Sequence, residues 1–87
     1  FTQIDENTYE INADMPLDDF AEIIGIDEPE SSHYSVGGWI FESFEKIPVV
    51  GDTFDYLHLT IKVTEVENRR IRKVYVEVNQ PILDIEN

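Results

Sequence analysis

Between Leu59 and Val78 the apolar side chains return at every second position, and this alternation restricts the fold more than any other feature of the sequence. Leu59, Ile61 and Val63 alternate with His58, Thr60, Lys62 and Thr64, and Val74, Val76 and Val78 alternate with Lys73, Tyr75 and Glu77. Wound into a helix, such a pattern scatters apolar groups on all sides; in a strand it collects them on one face. Glu67-Asn68 supplies turn-forming residues between the two runs, so the sequence predicts an antiparallel hairpin with one buried and one wet face. Thr53-Phe54-Asp55 adds a short strand ahead of it.

The buried face needs a cover, and the first half of the chain provides one. Phe1 to Asp5 and Thr8 to Asn12 flank Glu6-Asn7 and read as an opening hairpin. After Asp14-Met15-Pro16 the period changes. Leu17, Phe20, Ala21 and Ile24 form a helical stripe, Pro16 suits its first turn, Asp18 and Asp19 complement its N-terminal dipole, and Gly25 stops it. Asp27 to His33 is an aperiodic loop. Ser35 is the expected N-cap of a second helix carrying Val36, Trp39, Ile40, Phe44 and Ile47 on one stripe and ending before Pro48. Gly37-Gly38 in its first turn costs helix propensity, about 1 kcal/mol per Gly, which implies a close backbone approach there. Gln80-Pro81 is expected to end the sheet. The resulting class is α+β, two helices on a mostly antiparallel sheet, with one domain over residues 1–80 and an acidic tail over 81–87. A chain of 87 residues buries roughly 60% of its unfolded surface and can fold as one unit. The start at Phe1, without an initiator Met or signal peptide, reads as an excised piece of a longer protein.

Composition removes several function classes. There is no Cys, hence no thiolate chemistry and no Cys-ligated metal, and a reducing compartment fits. No apolar run approaches the ~20 residues that span a bilayer. The net charge is -13, and residues 1–45 hold 12 acidic side chains with no Lys or Arg, whereas the remaining 42 hold 7 acids against all 6 basic residues. That field repels phosphate backbones and anionic headgroups, which argues against nucleic-acid and peripheral membrane binding and favours cations or a basic protein surface.

Three stretches resemble one family. Asp5 to Phe20, continuing to Ile24-Gly25-Ile26, is similar to the opening strand, turn and acidic helix of CorC/HlyC transporter-associated domains. Tyr34-Ser35-Val36-Gly37-Gly38-Trp39-Ile40 and Ile47-Pro48-Val49-Val50-Gly51-Asp52 resemble its Gly-Gly helix and I-P-x-x-G-[DE] exit. Leu59 to Val63 with Arg70 to Val76 resembles its closing hairpin and R-I-x-x-V element. Asp55-Tyr56-Leu57-His58 departs from the pattern, because a turn with Gly is expected there. The resemblance covers almost the whole chain. It implies a non-catalytic, regulatory accessory domain of bacterial proteins linked to magnesium and cobalt efflux or labelled hemolysin-like, placed behind a CBS pair and in some cases a membrane-embedded domain, on the cytoplasmic side. It also implies similarity to part of a flavin-binding architecture, without a cofactor claim.

The candidate chemistry is sparse. A Gly pair at a helix N-terminus can present N–H groups to a nucleotide phosphate, and Trp39 can stack on a base, so Gly37, Gly38 and Trp39 are the cofactor-site candidates, set against tight packing and a core Trp. Asp14, Asp18, Asp19 and Glu22 are the candidates for attracting a divalent cation, set against a solvated helix face, and no EF-hand spacing is present. His33 and His58 stand 25 residues apart with no metal-ligand spacing. Ser35 with either His is the one imaginable nucleophile and base, and nothing orients a third group. Arg69-Arg70-Ile71-Arg72-Lys73 is the single cationic cluster, expected to pair within the domain or with a partner. Two alternatives accompany the regulatory reading: an adenine-nucleotide or flavin module binding between the second helix and the sheet, and a ligand-free homodimer formed along an apolar edge of the closing hairpin.

Overall fold

The computed structural model describes residues 1–44 and 46–79. Five strands form one sheet: β1 (Thr2–Asp5), β2 (Thr8–Asn12), β3 (Thr53–Tyr56), β4 (Leu59–Glu67) and β5 (Arg70–Val78). Two helices, α1 (Leu17–Ile24) and α2 (Val36–Ser43), lie between β2 and β3 in the chain. The spatial order is β1-β2-β5-β4-β3, and every pairing is antiparallel. The α+β class with two helices on an antiparallel sheet is therefore what the structure shows.

Register explains which side chains are inside. One row across the sheet runs Gln3, Tyr9, Val76, Ile61, Phe54, and the next row on the same face joins Ile11, Val74 and Val63. Ile11, Ile61, Val63, Val74 and Val76 are fully buried against Leu17, Phe20, Val36, Trp39 and Ile40 from the helices. Each such side chain contributes roughly 1.5–3 kcal/mol of burial. The opposite face carries Glu10, Tyr75, Lys62 and Thr53 in one row and no helix covers it. A two-layer domain results, polar on the bare side of the sheet.

Trp39 is the keystone of the packing. It is 4% exposed, with ring centroids 5.7 Å from Phe20, 5.7 Å from Phe54 and 5.0 Å from Tyr56. The Phe54 and Tyr56 rings meet it edge-on, the favoured quadrupole arrangement.

Several sequence expectations move. Helix α2 stops at Ser43, not at Ile47, because Phe44 turns extended (φ -92, ψ 149) to set its ring 5.6 Å from Phe54. Ile47 consequently leaves the apolar stripe and is 46% exposed. Pro16 sits just outside α1 rather than in its first turn, while Leu17 N–H donates to Tyr34 O at 2.6 Å. The closing turn is Asn68-Arg69, one residue later than Glu67-Asn68, since Glu67 still pairs with Arg70. Neither strand of the closing hairpin offers a long free edge for a second copy: β2 docks on β5 and β3 on β4, so the edges of the sheet are β1 and β3. Where a turn with Gly was expected, Leu57 takes a left-handed conformation (φ 54) between β3 and β4. The expected sheet stop at Gln80-Pro81 and the tail over 81–87 lie outside the described residues.

Candidate functional site

A cleft lies where β2 ends, α2 begins and the β4–β5 hairpin turns back. Strand β2 pairs with β5 up to Asn12 and Lys73, and Ala13 N–H continues the ladder to Arg72 O at 2.9 Å. The chain then returns so that α2 starts beside Ala13. Gly37 N–H donates to Ala13 O at 2.7 Å, and a Cβ on Gly37 would stand 2.8 Å from Ala13 Cβ and 3.1 Å from Ala13 O. This is the close approach that the Gly pair implied. Gly38 has a different neighbour: its Cβ would stand 2.6 Å from Cβ of His33, so it makes room for the loop before α2 rather than for a strand.

The start of α2 has no donors to spare. Val36 N–H donates to Met15 O at 2.9 Å, Gly38 N–H to the Ser35 hydroxyl at 3.1 Å, and Trp39 N–H to Ser35 O at 3.0 Å, in addition to the Gly37 bond. A helix N-terminus attracts anions through unsatisfied N–H groups; here all four are taken within the domain. Gly37 and Gly38 therefore act through packing geometry, and Trp39, enclosed by three rings, has no face free for a base.

Around this satisfied helix start stands a cleft of about 790 Å³. Arg69, Arg70, Arg72 and Lys73 line it, four of the six basic residues of the chain. Asp14 and Glu65 also border it, and Ala13, Ile71 and the 43% exposed Phe41 give it apolar wall. The charged residues nearest Gly37-Gly38 in sequence are acidic, Glu30 and Glu42; in space the pair borders a cleft with four basic residues against Asp14 and Glu65. Nothing local in the sequence signals this, because residues 12–14, 33–41 and 65–73 meet only through β2–β5 pairing.

Among the described residues, two ion pairs form: Lys46 with Asp52 at 2.7 Å and Arg72 with Glu67 at 3.6 Å, the latter exposed on both sides and weak. The basic cluster thus makes one loose intramolecular pair, while Arg69, Arg70 and Lys73 have no carboxylate within ion-pairing distance there. The Asp52 carboxylate accepts from the Lys46 ammonium and from Val49 N–H at 2.9 Å, which holds its pKa below the ordinary carboxylate value. Asp52 O in turn accepts from Val63 N–H at 2.8 Å, fastening the Pro48–Asp52 turn to β4.

The remaining sequence candidates stay apart. Asp14, Asp18, Asp19 and Glu22 are all exposed; Asp14 borders the cleft, and the other three lie along α1. Among the described residues no three His, Asp or Glu side chains converge as a metal site requires. His33 and His58 are exposed, and the Ser35 hydroxyl is occupied as the helix cap.

A family model described as the transporter associated domain, CorC_HlyC, matches residues 2–80. The chain is 35% identical over 78 residues to UPF0053 protein sll0260 of Synechocystis sp., covering 85% of this chain and 17% of that protein. It is 30% identical over 88 residues to the magnesium and cobalt efflux protein CorC of Escherichia coli K12, covering 97% of this chain and 30% of that protein. Its fold is similar to that of a hemolysin domain from Enterococcus faecalis V583, with a TM-score of 0.84 at 23% identity, covering 91% of this chain and 96% of that one. The chain thus spans less than a third of the length of these curated relatives. On the match over residues 2–80, the chain belongs to the transporter associated domain family, CorC_HlyC.

Proposed function

We propose that this domain is a non-catalytic, regulatory accessory module of a cation-export protein, modulating transport through binding of a ligand or partner. The observation that carries this reading is the proportion of the match: the family covers residues 2–80 here, yet the chain spans only 17% and 30% of its curated relatives. The transport pathway of such a parent then belongs to other segments, and a CBS pair and a membrane-embedded domain of the same chain, with this module on the cytoplasmic side, are the partners that fit. No helix among the described residues is long and apolar enough to cross a membrane. The absence of chemistry is supported by what the candidate groups do: Ser35 caps α2, and a nucleophile needs a base in hydrogen-bond reach. The acidic surface disfavours nucleic acid as partner.

The test is export of Co²⁺ and Mg²⁺ from cells carrying the parent protein, with and without residues 2–80, at equal expression. Export that persists with an altered dependence on internal cation concentration is the expected result. Superimposable export curves would overturn the regulatory role.

A further inference from the structure

We propose that the cleft between the β4–β5 turn and the start of α2 is a binding site for a compact phosphate-bearing ligand with a planar ring, of the nucleoside phosphate class. This deepens the reading of the domain as ligand-responsive, and it is tested by binding alone, so its failure is separate from any failure of the transport role.

Three observations carry it. The first is placement of charge. On a chain of net charge -13, four of six basic residues border one cleft against two acidic ones, Asp14 and Glu65, and Arg69, Arg70 and Lys73 have no described carboxylate within ion-pairing distance. Guanidinium groups bind phosphate oxygens through paired N–H donors, the strongest class of hydrogen bond available at an exposed site. These forks replace the helix N–H groups, which are already bonded to Ala13, Met15 and Ser35.

The second is backbone conformation. Asn68 and Arg69 both have positive φ (53 and 64) and form the two-residue loop of the β4–β5 hairpin. A loop of this kind favours Asn at its first position and Gly at its second, because only Gly adopts the left-handed region without cost. Arg69 holds the Gly position in spite of that cost and lines the cleft. A side chain kept where the backbone favours none points to a task for the side chain.

The third is size. A volume of about 790 Å³ lies within the ~300–1,000 Å³ range of small-molecule sites. Were it spherical, it would be roughly 11 Å across, comparable with the ~8 Å over which charges act at physiological salt. A compact polyanion fits inside this locally positive zone. An extended acidic peptide would run onto the surrounding acidic surface and be repelled. Phe41, 43% exposed on the wall, offers a ring face to a base, which a bare phosphate would leave unused.

The experiment is calorimetric titration of the full 87-residue chain with ADP, pyrophosphate and a hexaglutamate peptide at 0.15 M NaCl in EDTA. The expected result is saturable 1:1 binding of ADP with a Kd below about 1 mM, tighter than pyrophosphate and far tighter than the peptide. Arg69→Gly should weaken ADP binding about tenfold while the variant melts no lower than the parent, since the substitution relieves the backbone. Phe41→Ala should bring ADP binding down to that of pyrophosphate. No saturable heat with ADP at millimolar concentration overturns the proposal, as does unchanged ADP binding in the Arg69→Gly, Arg70→Ala double variant. Tighter binding of hexaglutamate than of ADP overturns it in favour of an acidic protein partner.

Discussion

The start of α2 and the β4–β5 turn border the same cleft and are built on opposite terms. At the helix start every N–H has an internal acceptor, two glycines admit the neighbouring backbone and loop, and Val36, Trp39 and Ile40 are buried. At the turn the backbone is held at positive φ by residues other than Gly, the side chains are long and exposed, and three cations lack a described partner. The first region meets the demands of folding with nothing left over. The second keeps polar capacity unspent at some cost to stability, the usual signature of a surface that serves binding.

That contrast can be broken by substitution. The largest effect is expected at Gly37: Gly37→Val puts a branched side chain against Ala13 Cβ and O, at 2.8 and 3.1 Å from the Cβ position, and should cost about 3 kcal/mol. For a domain of this size that is most of a typical stability, so urea unfolding should show a midpoint near zero denaturant; a near-parental midpoint would show that the junction yields easily. Ser35→Ala removes the acceptor of Gly38 N–H and should cost about 1 kcal/mol, readable in the same melts. At the turn the sign reverses, and Arg69→Gly should stabilise by up to about 1 kcal/mol. A loss there would mean that the guanidinium supports the fold and would erase the distinction between the two regions.

The smallest effect sharpens the comparison through a third, neutral reference. The Asp52 carboxylate is held below its ordinary pKa by the Lys46 hydrogen bond and then by Val49 N–H. A carboxyl whose folded pKa is depressed stabilises the fold above its unfolded pKa and loses that contribution as pH falls through the folded one. Parent and Asp52→Asn should therefore differ slightly at pH 6 and converge below the ordinary carboxylate range. Equal stability of the two at every pH would mean that the Lys46 pair is fully screened.

Much of the fold is legible from the sequence, for reasons that differ by element. Strict alternation marks β4 and β5, a 3.6-residue stripe with Gly25 behind it marks α1, and Ser35 announces α2. The errors fall where tertiary contacts outweigh local signals. Phe44 abandons the helix for Phe54, and the Asn68-Arg69 turn escapes notice because Arg carries no turn signal. The cleft is the least legible feature. Its cations are visible as a run, but their position beside Gly37-Gly38 depends on register between strands some sixty residues apart, and sequence neighbours give the opposite sign of charge. Only the tight packing at Gly37 follows from propensity alone.

The strand order carries a consequence for how the domain is made. Strand β5, last of the five in the chain, sits in the centre of the sheet, between the opening hairpin on one side and β3–β4 on the other. Until it leaves the ribosome the opening hairpin and β3–β4 have no strand between them to pair with, and the long-range contacts that β5 makes with β2 and β4 are deferred. A nascent chain arrested before Arg70 therefore lacks the strand that joins the two halves of the sheet, and the apolar face that β5 completes stays open to proteases.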